Sequence, residues 1–509
     1  MKRQNIRLLF LSLLTLFLFS CGGKNVERST GLLIDVDAYE KIPKKARLVS
    51  REYDDLPLAV DLREYVPLAG NQGQYGTCVA WATTYCAMTT TDSVGLERRG
   101  RQVAANNAFS PYFLFRTCKP NERIPEKGLS IESALYTLKY DGVPKRIFEE
   151  TLIEYKDFEM NLYDGEYLYK IGDYATLFSW YEEDPEVKIQ AVRKSLSQNK
   201  PVVISFYGYP SSFYSYGGDR WYPRRWEEDG DGSHAMVIVA YDDYNYGGSF
   251  LFQNSWGPEW GDNGSKWVTY EDFANYTRGA YEMSSVHFAA ERYWSEPQPE
   301  PKPEPQPKPQ PEPEPEPEPV ITTIYRGSFS MPLYYGEEEV AVELDDDVYY
   351  AKDSFSFTDR FRLELTNTKP CYVYAFASDE TTGKATRLFP DKKTSALLDY
   401  SSNTIALPSE NTWIEFDSVS GTDYMVVLYS LDELDLDGIM SSYENAVERG
   451  LAGRYNLKDR VEQALDLEEL EIMPHNRIDL SRDSVQFEAW VEDDERAGVL
   501  PVMLVFDHE

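Results

Sequence analysis

The stretch GNQGQYGTCVAWA, residues 70–82, sets one cysteine, Cys78, behind a glycine-rich approach and ahead of an apolar run. That run continues as TCVAWATTYCAMTTT, whose patterning predicts a buried helix that begins at Cys78. A buried cysteine ordinarily behaves as a small apolar group. To act as a nucleophile it needs a base or cation that lowers its pKa from about 8.5. The chain has four histidines, His234, His287, His475 and His508. His508 stands near the end and His475 far from Cys78, while His287, in SSVHFAA, reads as a strand histidine in a core. His234 lies in GDGSHAMVIVAY, where a glycine turn runs into a buried strand and brings a ring to the lip of a sheet. Asn254, in QNSWGPEWGDNG, is a polar amide at the end of an apolar strand and must find a partner, for which an imidazole N–H is suited. Gln72, six residues before Cys78, can aim its amide where the Cys78 backbone N–H points, giving an oxyanion two donors.

Around these residues the pattern is mixed. SIESALYTLKY reads as a helix capped by Ser130, whereas PVVISFYGY, HAMVIVAYDD, SFLFQNSWG and KWVTYEDF read as strands separated by glycine or aspartate turns. Helices come first and strands later, which predicts an α+β domain with a helical half and a sheet half over residues 56–295. Tyr207 to Gly232 is rich in aromatic residues and reads as a packed surface loop or a substrate wall.

GNQGQYGTCVAWA, GSHAMVIVAY and NSWGPEWGDNG resemble, in order and spacing, the three active-site motifs of the papain-like cysteine peptidases. PLAVDLRE, NAFSPYFLFRTC and GLSIESALYTLKYDGV are similar to other parts of that family's fold. The resemblance implies a two-lobed fold, one lobe helical and one β-barrel-like, that hydrolyses peptide bonds in protein or peptide substrates without a cofactor or metal. By it Cys78 is the thiolate nucleophile, His234 the imidazolium that protonates the leaving amine, and Asn254 the orienting residue. Gln72 joins the Cys78 N–H in the oxyanion hole. Substrate-binding roles fall to Ala235, Trp256, Gly128 and Leu129, with Trp256 shielding the histidine–asparagine contact from water. Two departures stand out: Tyr75 and Val79 occupy positions where relatives usually carry a cysteine and a tryptophan. Gly128 followed by Leu129 replaces a glycine pair, so specificity does not transfer. Other uses of the same residues are acyl transfer to an amine and a catalytically silent papain-fold lipoprotein that binds peptide or envelope material.

The N-terminus addresses compartment. Lys2, Arg3 and Arg7 precede the apolar LLFLSLLTLFLFS, too short for a membrane span of roughly 20 residues, so residues 1–20 read as a signal peptide. LFSC followed by Gly22 and Gly23 resembles a bacterial lipoprotein signal, which implies that Cys21 is lipidated and tethers the chain to the bacterial cell envelope. Residues 21–55 then form a tether with GLLIDVDAYEKI as its one apolar patch. Papain relatives usually carry a longer inhibitory prodomain, so restraint by location or another factor is expected. Besides Cys21 the cysteines are Cys78, Cys86, Cys118 and Cys371, whose spacing does not outline a disulfide framework and leaves a Cys86–Cys118 pair open.

A formal net charge of -35 over 509 residues excludes nucleic acid as a partner, since phosphates would be repelled. Residues 296–319 carry proline at every second position, which favours an extended polyproline spacer of roughly 75 Å holding the next domain at a distance. Residues 320–509 alternate apolar and polar positions, as in a mainly β sandwich-like domain, and SYENAVERGLAGRYNLKDRVEQALD reads as helical. No catalytic set is visible there, so binding an envelope or protein partner is its expected role. Asp229 with Asp231, and the EF-hand-like ELDLDGIMSSYE, lack a full ligand pattern, and no metal is expected.

Overall fold

The computed structural model describes residues 30–292 and 321–509, apart from 123–127, 216, 224–229, 231, 336–337, 417, 452, 482–483 and 493–496. The signal peptide, Cys21, the spacer 296–319, Asp229 and Asp231 lie outside the described residues.

In the N-terminal unit the helical half comes first. A helical segment runs without a break through Cys78–Ala80, Trp81–Met88 and Thr89–Gly95, and its middle stretch is wound in wide turns. Threonines inside it bond their own backbone: Thr83 Oγ1 donates to Val79 O at 2.8 Å and Thr90 Oγ1 to Cys86 O at 2.8 Å. Such turns often mark functional positions. Pro111–Cys118 and Ile131–Tyr140 pack beside it, each started by a serine whose oxygen accepts a backbone N–H, Ser110 from Phe113 and Ser130 from Ser133.

The sheet half is antiparallel in the order Tyr174–Thr176, Thr277–Met283, Val202–Tyr209, Gly232–Asp242, Ser249–Gln253, Ser265–Thr269, with Ala59–Asp61 also pairing with Gly232–Asp242. Four of the expected strands are present, with one correction. KWVTYEDF is a strand only to Thr269, whose hydroxyl accepts the Asp272 N–H and starts the helix Tyr270–Tyr276. His287 is on a strand, Val286–Arg292, but is exposed rather than in a core, because that strand belongs to a small separate sheet with Tyr167–Ile171 and Val143–Pro144.

The C-terminal unit holds a five-stranded and a seven-stranded sheet. Along Gly421–Ser430 the alternation is complete: Met425, Val427 and Tyr429 enter the core between the sheets, while Tyr424, Val426 and Leu428 enter a second core beneath two helices. Those helices, Leu436–Glu448 and Leu457–Leu467, divide the stretch that reads as continuously helical. Asp435 caps the first through the Gly438 N–H, so ELDLDGIMSSYE is a helix start rather than a calcium loop. One strand pair, Val348–Ala351 with Leu500–His508, is parallel.

The two units are docked, which corrects the expectation that the second stands off on its spacer. Residues 30–55, expected to be a plain tether, are built into both. Leu32, Tyr39 and Ile42 belong to the N-terminal core, and Ala46 and Leu48 belong to the C-terminal core. Among the described residues no helix is long and apolar enough to cross a membrane.

Candidate active site

Three chain segments converge on Cys78. The first is its own approach, where Gln72 N–H donates to Ser255 O at 2.9 Å and Gly257 N–H donates to Gly70 O at 2.8 Å, tying the loop before the helix to the loop after strand Ser249–Gln253. The second is strand Gly232–Asp242, which carries His234 opposite Phe206 and Ala235 opposite Ser205. The third is that post-strand loop itself, where the Asn254 N–H donates to Gly264 O at 2.9 Å and fixes the side chain's origin.

Asn254 Oδ1 lies 2.8 Å from His234 Nε2 and also accepts the Ser255 N–H at 2.7 Å. An amide oxygen only accepts, so Nε2 carries the proton and Nδ1 is left as the acceptor nitrogen. Nδ1 is buried and has no protein hydrogen-bond partner. Trp256 stacks on the ring, centroids 4.6 Å apart and planes 24° apart, and Tyr214 stacks on Trp256 at 5.2 Å. The indole therefore covers a histidine that is itself buried. Much of the aromatic-rich stretch ahead of the histidine is packed: Phe213 and Trp221 are buried, although Tyr207 and Tyr222 remain exposed. Cys78 begins its helix at the buried end, and the N–H of Ala235, next to His234, faces its sulfur.

Gln72 is brought to the same place, and both ends of its amide are engaged. Its Nε2 donates to Tyr75 O at 2.9 Å, and its Oε1 accepts the Ser255 hydroxyl at 2.6 Å. Ser255 was not singled out from the sequence, although it stands inside NSWG between two residues that were. Tyr75, at the departure position, is buried and donates its hydroxyl to Glu154 at 2.9 Å. Cys86 and Cys118 are both free thiols, as are Cys78 and Cys371.

Gly128 and Leu129 are occupied by the chain's own N-terminal segment. Leu129 N–H donates to Gly31 O at 2.8 Å and Leu33 N–H donates to Leu129 O at 3.1 Å, a parallel bridge. The Ser233 hydroxyl donates to Leu32 O at 2.9 Å, and the Gly31 N–H donates to Cys78 Sγ at 3.2 Å. The fit admits no side chain: a Cβ on Gly31 would lie 1.9 Å from Gly76 O, and one on Gly128, whose φ is +70°, would lie 2.0 Å from Gly31 O. A segment shorter than a usual prodomain thus reaches the candidate nucleophile, which corrects the expectation that restraint lies elsewhere.

Burial opposes charge on both Cys78 and His234. Burial pushes the Cys78 thiol up to about 11, although the amides of Ala235 and Gly31 pull the other way. Burial pushes the His234 ring down to about 4 against the Asn254 bond. Burial thus works against the ion pair that the resemblance implies. Among the described residues no cluster of His, Cys, Asp or Glu could hold a metal ion.

Residues 56–287 match the family described as Papain family cysteine protease. This unit is papain-like. Solved structures similar to the chain include xylellain, a cysteine protease from Xylella fastidiosa (20% identity, TM-score 0.36, covering 51% of this chain and 97% of that one). Others are procathepsin B S9 from Trypanosoma congolense (16%, 0.39, 50% and 86%) and digestive procathepsin L 3 of the Tenebrio molitor larval midgut (19%, 0.33, 48% and 77%). No curated protein matches the chain. The papain-like unit contains Gln72, Cys78, His234 and Asn254, and the covering segment comes from before it.

Proposed function

We propose that the chain is a cysteine endopeptidase that cleaves peptide bonds through a thioester on Cys78 and is tethered to the bacterial envelope through lipidated Cys21. The observation that carries the catalytic part is the histidine: Asn254 takes Nε2, leaving Nδ1 of a fully buried ring as an acceptor without a protein partner. That is the nitrogen able to receive the proton of a neighbouring thiol. Sulfur attack on a substrate carbonyl forms a tetrahedral oxyanion, for which the Cys78 N–H at the helix start and the Gln72 amide are the donors at hand. His234 then passes the proton to the leaving amine, and water releases the acyl group from sulfur. For Gln72 to serve, its amide must turn from Tyr75 O, while the Ser255 hydroxyl keeps hold of its oxygen. The tether rests on the sequence around Cys21.

The test compares the wild-type chain, Gly31→Val, and Gly31→Val with Cys78→Ala against a peptide library near neutral pH, read by mass spectrometry. Cleavage by Gly31→Val that vanishes with Cys78→Ala is expected. Products joined to an added amine rather than water would instead assign acyl transfer, and cleavage by none of the three would refute the peptidase.

A further inference from the structure

We propose that the C-terminal unit has a function of its own as the clamp that holds residues 30–35 in the Cys78 cleft. The proposal rests on reading that cleft as the peptidase site.

The segment is gripped at two ends. At the cleft end lie the bonds of Gly31, Leu32 and Leu33 described above. The short helix Val36–Lys41 follows, with Tyr39 donating its hydroxyl to Phe178 O at 2.6 Å. Beyond it the backbone runs between the two units and bonds both. On the papain-like side Thr176 N–H donates to Pro43 O at 3.2 Å and Lys45 N–H to Thr176 O at 2.7 Å. On the other side Lys44 N–H donates to Lys393 O at 2.6 Å and Ser395 N–H to Lys44 O at 2.7 Å. The Lys45 ammonium joins Glu282 of the papain-like unit to Asp399 of the C-terminal unit, and Lys200 also pairs with Asp399. Ala46 and Leu48 are then buried in the C-terminal core, and Val49 N–H donates to Thr404 O at 2.9 Å.

Hydrogen bonds also join the units directly. Tyr400 donates its hydroxyl to Glu282 at 2.8 Å, Gln198 Oε1 accepts the Ser401 N–H at 2.8 Å, and Tyr372 donates to Asp173 at 3.3 Å. The Tyr372–Asp173 contact borders a cleft of about 910 Å³ lined by Ala38, Ile42, Tyr136, Tyr140, Tyr372 and Arg387. An interface that carries such bonds and is incompletely filled separates at lower cost than a closed apolar core. On separation the segment loses the bonds of Lys44 to Lys393 and Ser395, the Lys45–Asp399 pair and the burial of Ala46 and Leu48, and keeps its anchors on the papain-like side at Tyr39, Pro43, Lys45 and the cleft. Undocking of the C-terminal unit therefore shifts the segment toward release.

The experiment measures alkylation of Cys78 in the full chain by peptide mass mapping, alongside peptide hydrolysis. Asp399→Lys sets a cation against Lys45 and Lys200, and Lys45→Asp combined with Asp399→Lys restores an opposite pair. Gln198→Ala with Glu410→Ala removes exposed docking contacts, Glu410 being the acceptor for Ser50, and leaves both cores intact. Gly31→Val reports the uncovered thiol. Both docking variants should label about tenfold faster than wild type or more, approaching Gly31→Val, and the charge swap should restore slow labelling. Fast labelling of Gly31→Val with wild-type rates in the docking variants overturns the clamp. So does a wild type that labels as fast as Gly31→Val, whether by an open cleft or because Gly31→Val gains nothing. If labelling follows the clamp and no variant cuts peptide, the clamp stands and the peptidase reading fails.

Discussion

One ring nitrogen of His234 is engaged and the other is not, and the difference is set by a single amide oxygen. In the Gly31→Val background, Asn254→Ala should lower kcat on the order of a hundredfold with little change in KM, because the ring loses its orientation and not its contact with substrate. A Michaelis series on a cleaved library peptide checks the split. Alkylation of wild-type Cys78 should climb about tenfold per pH unit below its thiol pKa of about 11, since a raised pKa keeps the sulfur protonated at neutral pH. With the covering segment displaced, water enters and the profile should move to lower pH. At this scale the meeting of Cys78, His234, Asn254 and Gln72 in one place was legible because each stands in a distinctive local sequence. Ser255 was not, since a serine next to a key amide carries no sign of which oxygen it will hold. Exposure of His287 was also hidden, because SSVHFAA has the same alternation at the edge of a small sheet as in a buried one.

Elements were readable where a cap stands next to a period. SIESALYTLKY and the strand ending in Asp242 follow their patterns, whereas the strand predicted across KWVTYEDF fails at Thr269 because a Thr-x-x-Asp cap outweighs the apolar run. Ser130→Ala should cost about 1 kcal/mol of stability, measured by urea unfolding, because the Ser133 N–H then lacks its side-chain acceptor. The cost bears on function as well, since this helix follows directly on Gly128 and Leu129, which line the covered cleft. The wide turns over Trp81–Met88 left no mark in the pattern: an apolar, threonine-rich run reads the same for either helix width.

For the whole molecule, the two kinds of unit were legible from composition, and their docking was not. Lys45 and Asp399 stand 354 positions apart, and nothing local to either announces the other. Burial opposes the charge on Asp399, and Lys45 and Lys200 outweigh it, so its carboxyl lies below the ordinary range. A carboxyl with a depressed folded-state pKa contributes stability that is present above its unfolded value and is lost only as pH falls through the depressed one. Small-angle scattering should therefore give the same radius of gyration at pH 7 and pH 5, and an expansion already complete at pH 5 would contradict this pairing. Leu48→Asp places an unpaired charge in the C-terminal core and should expand the particle at pH 7, with the papain-like unit still folded by circular dichroism.

The direction in which the covering segment meets Cys78 has a further consequence. The sulfur accepts the Gly31 N–H, whereas attack on a peptide requires the sulfur to approach a carbonyl carbon. The Gly31 carbonyl is turned away to Leu129. The candidate nucleophile thus meets an N–H of its own chain rather than the Gly31 carbonyl. An inhibitor cleaved on activation makes a one-way transition; under the proposed clamp the segment is displaced without being cut, so the same molecule can be shut again and its activity can follow the state of its partner unit in time.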